Sequence, residues 1–140
     1  MKKGVYMSNF VQDFFVYEVD FSAAVLLAGV TTSGNIAIQA DSDFKLLKMC
    51  YFADSDNTTD SSRVIPAVQC TITDQGSGRM LMNQPVPVSS IFGTGQIPFI
   101  MPVPRIFTAR SIIVVSVTNF ATSAVALKLS FIGAKILRSA

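Results

Sequence analysis

The chain has no histidine and no tryptophan among its 140 residues, a single glutamate, Glu18, and two cysteines. Without histidine, general-base relays, serine or cysteine triads and most zinc sites lose their usual participant. One glutamate leaves no glutamate pair for acid/base work. Asp13 and Asp20 stand near Glu18 in sequence, but Glu18 and Asp20 fall on the same side of an expected strand, which reads as a solvated face. Sugar stacking favours exposed aromatic rings with a polar edge. Here it could draw only on Tyr6, Tyr17 and Tyr51. Cys50 and Cys70 sit inside expected strands and read as small apolar fillers kept reduced; a disulfide requires those strands to be neighbours.

Charge is scarce as well. Charged residues make up 14% of the chain, against about 25% in an average soluble domain. Eleven basic and nine acidic residues leave a net charge of +2. The basic ones are scattered, with only Lys2 and Lys3 adjacent, so no nucleic-acid footprint is expected. Phe21 to Val30 is the longest uncharged apolar run. It reaches half the ~20 residues a membrane-spanning helix needs. Asp13, Glu18 and Asp20 interrupt the N-terminal apolar residues, so no signal peptide and no membrane association are expected, and synthesis is expected in the cytosol.

Half the residues are hydrophobic. Two sinks account for that: strands buried inside a sandwich, and subunit contacts, where charge is depleted. The length fits one domain that buries about two-thirds of its unfolded surface. Residues 1–10 read as an N-terminal extension and residues 11–140 as the domain. Met7 is the expected natural start, because codons for Lys3 to Val5 can encode a purine-rich ribosome-binding site just upstream.

Strand signals follow in quick succession. Phe15, Tyr17, Val19 and Phe21 alternate with polar neighbours. Val25 to Val30 is a short apolar run. Thr31 to Asn35 (TTSGN) reads as a turn, and Asp41 to Asp43 as another. Phe44 to Phe52 reads as a strand with Lys45 and Lys48 at opposite parities, which leaves room for a bulge or a short helical turn. Val64 to Thr73 turns through Gln75 to Gly78 into a brief returning strand, Met80 to Met82. Ile112 to Phe120 and Ala124 to Leu137 are long strands whose short connection implies a hairpin. The reading is an all-β, jelly-roll-like antiparallel β-sandwich of about eight strands.

Other clusters offer little chemistry. Asp54, Asp56, Asn57 and Asp60 look like a calcium loop, but Thr59 and Ile65 stand where an EF-hand needs Gly and Glu. Gly76/Gly78 and Gly93/Gly95 precede neither a helix nor a P-loop lysine and read as turns. No catalytic residue, metal site or cofactor is expected.

The tract Gln96 to Asn119, QIPFIMPVPRIFTARSIIVVSVTN, is the best candidate for function. Pro98, Pro102 and Pro104 exclude helix and central strand there. Phe99, Met101, Pro102, Arg105, Phe107 and Arg110 are its candidate partner contacts. Arg105 and Arg110 either pair with acidic groups on a partner or cap a strand edge. Pro98 to Phe107 is either a proline-stiffened docking arm or a crossover whose side chains fill this chain's own core.

PFIMPVPRIFTARSIIVVSVTNF, followed by ALKLSFIGAKI with Gly133 near its end, resembles the C-terminal half of small virion proteins of tailed bacteriophages. In size and strand count the chain also resembles the jelly-roll cement, or decoration, proteins of short-tailed phages such as a Bordetella phage. The resemblance implies a structural protein on the capsid exterior, assembled in the host cytoplasm. Its partner would be the major capsid protein, bridged by homo-oligomers, dimers or trimers. Other implied settings are the collar, tail or fibre attachment. A ligand- or glycan-binding sandwich is the reading from a different class.

Overall fold

The computed structural model describes residues 10–21, 27, 29–54, 67–120 and 125–138. The N-terminal extension and the Asp54 to Ser62 loop lie largely outside them, as does half of the Val25 to Val30 run. Among the described residues the chain forms nine strands and one helical turn. In order these are β1 (Phe10–Asp20), β2 (Thr31–Ala37), β3 (Asp43–Asp54), β4 (Val68–Asp74), β5 (Arg79–Met80), β6 (Val86–Pro87), α1 (Val88–Ile91), β7 (Phe99–Phe107), β8 (Ile112–Asn119) and β9 (Ala126–Arg138). No described helix is long and apolar enough to cross a membrane.

Two antiparallel sheets face each other. One has the order β1-β9-β3-β7, the other β2-β8-β4-β5, and β6 shares with β5 the free edge of β4. Taking β5 and β6 as one edge, the pairings nest: β1 with β9, β2 with β8, β3 with β7, β4 with β5/β6. A long hairpin rolled up in this way is the jelly roll.

The core follows from period-two alternation. Tyr17 and Val19 point inward from β1, Phe44, Leu46 and Met49 from β3, Val68, Cys70 and Ile72 from β4, and Ile113, Val115 and Val117 from β8. β9 contributes Leu127, Leu129 and Phe131, all fully buried. Tyr17 meets Phe44, and Phe92 meets Phe131, edge to face with centroids 4.8 and 5.7 Å apart.

Two sequence-based expectations fail, each for a reason. Thr31 to Asn35 is not a turn but most of β2. Its hydroxyls face those of β8, with Thr31 Oγ1 2.7 Å from Thr118 Oγ1 and Ser33 Oγ 2.7 Å from Ser116 Oγ. Gly34 belongs to the strand because a Cβ there would lie 2.5 Å from Val19 Cγ2. Likewise, β8 and β9 do not form a hairpin. They lie in opposite sheets.

Of the two irregularities open to β3, a bulge and a short helical turn, the structure has the bulge. Leu46 pairs with Arg105 and Lys48 with Ile100, so residues 101–104 of β7 stand opposite Leu47 alone. On the β9 side of the same bulge, Leu46 faces Gly133.

Candidate docking surfaces

The outer faces of the two sheets differ in chemistry. On the β2-β8-β4 sheet the register aligns Ser33 with Ser116 and Thr71, and Thr31 with Thr118 and Gln69. That face is hydroxyl-rich and meets water readily.

On the β1-β9-β3-β7 sheet the corresponding rows are apolar. One runs Phe14, Ala134, Lys45, Ile106; the next runs Val16, Ile132, Lys48, Ile100. Phe14 is 77% exposed, Ile100 66% and Ile106 52%. Carboxylates keep to the ends, with Glu18 and Asp20 at one and Asp43 at the other. Asp20 is 3.8 Å from Lys128, in keeping with a solvated pair. Large apolar side chains spread across adjacent strands, with two lysines among them, are the composition of a contact surface.

β7 forms the rim of this face. As an edge strand it tolerates Pro102 and Pro104, whose missing N–H groups point to no neighbour in the sheet. Beyond its N-terminal end, Gly93 bridges to Cys50, and Thr94 O accepts a hydrogen bond from Cys50 Sγ at 3.4 Å. A Cβ on Gly93 would lie 2.1 Å from Ile97 O, so only glycine fits this close approach.

Inward of β7, a cleft of about 710 Å³ opens between it and the β5/β6 edge. Its walls include Met49, Met80, Met82 and Met101, with Phe99, Ile91 and Val86. Its polar end holds Asp74, Ser77, Arg79 and Arg105. Asp74 organises that end. Its Oδ1 accepts from Gly76 N at 2.9 Å, and its Oδ2 from Ser77 Oγ at 3.1 Å and from Arg105 at 3.4 Å. Arg105 also lies over the Phe107 ring, 5.7 Å from its centroid. The Arg105 Nε is buried and has no hydrogen-bond partner among the described residues.

The structure thus gathers four of the six sequence candidates. Phe99, Met101, Pro102 and Arg105 line the cleft. Phe107 is fully buried in the core. Arg110 is exposed on the β7–β8 turn with φ 69°. The exposed residues that sequence reasoning missed are Phe14, Ile100 and Ile106. Their signal was available as parity: each has the opposite parity to a neighbour in the core, Phe107, or packed against it, Phe15 or Phe99.

Elsewhere polar groups hold the fold. Lys135 Nζ lies 4.1 Å from the Phe15 ring centroid, donates to Gln39 Oε1 and pairs with Asp41 at 3.2 Å. The hydrogen bond from Lys135 holds the Asp41 carboxyl below its ordinary range. Tyr17 is buried and Tyr51 half-buried, while Tyr6 lies outside the described residues. Cys50 and Cys70 are both free, on β3 and β4 of different sheets. Burial pushes the Cys70 thiol up to about 12 and raises that of Cys50. No group of potential metal ligands occurs among the described residues.

No protein-family model and no curated protein matches the chain. Among solved structures, it is similar to part of dimeric latent PorU from Porphyromonas gingivalis, at 8% identity and a TM-score of 0.43, covering 93% of this chain and 13% of that one. It is also similar to the infectious bursal disease virus VP2 subviral particle, at 14% identity and a TM-score of 0.33, covering 91% and 38%. The Gx strain of that virus gives 13% identity and a TM-score of 0.31, covering 94% and 38%. The chain therefore spans well under half of each of these proteins. At such scores the likenesses carry no functional argument.

Proposed function

We propose that this protein is a virion structural component, a cement protein that reinforces a phage head by bridging capsid subunits. One observation carries the reading: the jelly roll has one hydroxyl-rich outer face and one apolar outer face, the latter centred on Phe14, Val16, Ile132, Ile100 and Ile106. A protein that acts alone in water gains nothing from such a face, whereas one that lies flat on a lattice of subunits does. The β1-β9-β3-β7 sheet rests on the capsid, and the Ser/Thr face points to solvent. β7, stiffened by its prolines, loses little entropy on docking and reaches toward the neighbouring subunit.

The test is particle composition followed by rebinding. Quantitative mass spectrometry of particles from the source culture should find this chain at copy numbers that scale with the major capsid protein. A ratio matched to the portal or tail places it in the collar or tail instead, and its absence from particles ends the virion reading. Purified protein should rebind particles stripped of it. A Phe14→Lys/Ile100→Lys variant that melts like the parent should not.

A further inference from the structure

The cleft between β7 and the β5/β6 edge is a second surface, which meets the apolar outer face at Ile106, and its chemistry does not depend on the virion reading. Four of the chain's six methionines line it. Methionine is flexible and polarisable, and it is favoured where one surface must mould to an inserted apolar side chain. The floor is anchored by Ile72 and Met49, which are buried and belong to the core. The cleft is therefore a firm trough with adaptable walls.

Two further observations identify the occupant. First, the cleft is flanked by the free edges of two sheets, β7 on one side and β5/β6 on the other. Strand edges offer backbone groups at intervals that an extended peptide can meet and an alkyl chain cannot. Secondly, the polar end is unbalanced: Arg79 and Arg105 face one carboxylate, Asp74. A carboxylate laid across the two guanidiniums neutralises the excess charge.

We propose that this cleft is a peptide-binding site for an extended, apolar segment of a partner protein that places an Asp or Glu side chain at the Arg79/Arg105 end. Alternate apolar side chains of the segment enter the trough between Met80, Met82 and Met101. The prolines at 102 and 104 limit backbone pairing on the β7 side, so side-chain insertion dominates recognition there.

Panning the folded protein against short random peptides tests this. Enriched sequences should combine apolar residues with a single acidic one. A labelled synthetic peptide of the consensus should bind in fluorescence anisotropy. Arg79→Gln and Met80→Asp change exposed side chains of the cleft. Each should weaken that binding about tenfold without lowering the melting temperature, and an acid-to-amide peptide should lose a similar factor. Basic or wholly polar consensus sequences, or binding indifferent to both substitutions, overturn the proposal. So does tight binding of sodium decanoate at the same residues with no peptide enriched, since the occupant is then an amphiphile.

Discussion

At the scale of single residues, Gly133 shows how tightly the central strand is fitted. A Cβ there would sit 1.9 Å from the Lys45 carbonyl oxygen, a backbone atom with little room to move at the β3 bulge. Gly133→Ala should therefore destabilise the fold by roughly 1–3 kcal/mol, readable in urea denaturation. Asp41 gives a weaker, pH-dependent effect. Its folded-state pKa lies below 3.8 because Lys135 donates to it. A depressed carboxylate contributes stability above its unfolded pKa and loses it as pH falls through the folded value. The melting temperature of the parent should thus drop slightly more than that of Asp41→Asn on acidification below pH 3.8. Equal drops would show that the Asp41–Lys135 tie does not stabilise the corner before β3.

At the scale of elements, β7 combines an exposed apolar strand with a free edge, a combination that invites pairing between copies. Pro102 and Pro104 oppose it by deleting donors from the edge, and the four-against-one bulge bends the strand. A Pro102→Thr/Pro104→Thr variant should self-associate at concentrations where the parent scatters no light. A variant that stays monodisperse would assign edge protection to the bulge alone. The prolines argued against helix and central strand for β7 in sequence, but its edge pairing with β3 was not legible, whereas parity made the inward faces of β4 and β9 legible. β2 was not legible as a strand, because Thr, Ser, Gly and Asn read as turn residues when nothing shows the β8 hydroxyls they pair with or the Val19 side chain against Gly34. The cleft was half legible. Phe99, Met101, Pro102 and Arg105 stood out within their tract, whereas Met80, Met82 and Arg79 come from another sheet, and only the rolled topology brings them across.

At the scale of the molecule, the nested pairing makes most sheet contacts distant in sequence. β1 finds β9, and β2 finds β8, only after long loops close. Folding should accordingly fall in the slow range for a domain of this size, about milliseconds to seconds, and stopped-flow refolding can check it. Microsecond folding would mean that local structure carries the transition state. The short chain connection between β8 and β9 had read as a hairpin because adjacency in sequence is the commonest guide to adjacency in space. A jelly roll breaks that guide at each corner, which is why the fold class could be inferred but not the strand order.

β9 lies between β1 and β3, so the last described strand to leave the ribosome fills an inner position of its sheet. Until it arrives, β1 has no partner strand in that sheet, and β3 has only β7. A product cut short before Ala126 cannot close the sandwich or assemble the apolar outer face. Synthesis thereby carries its own completeness check: only chains that include β9 present the finished four-stranded sheet.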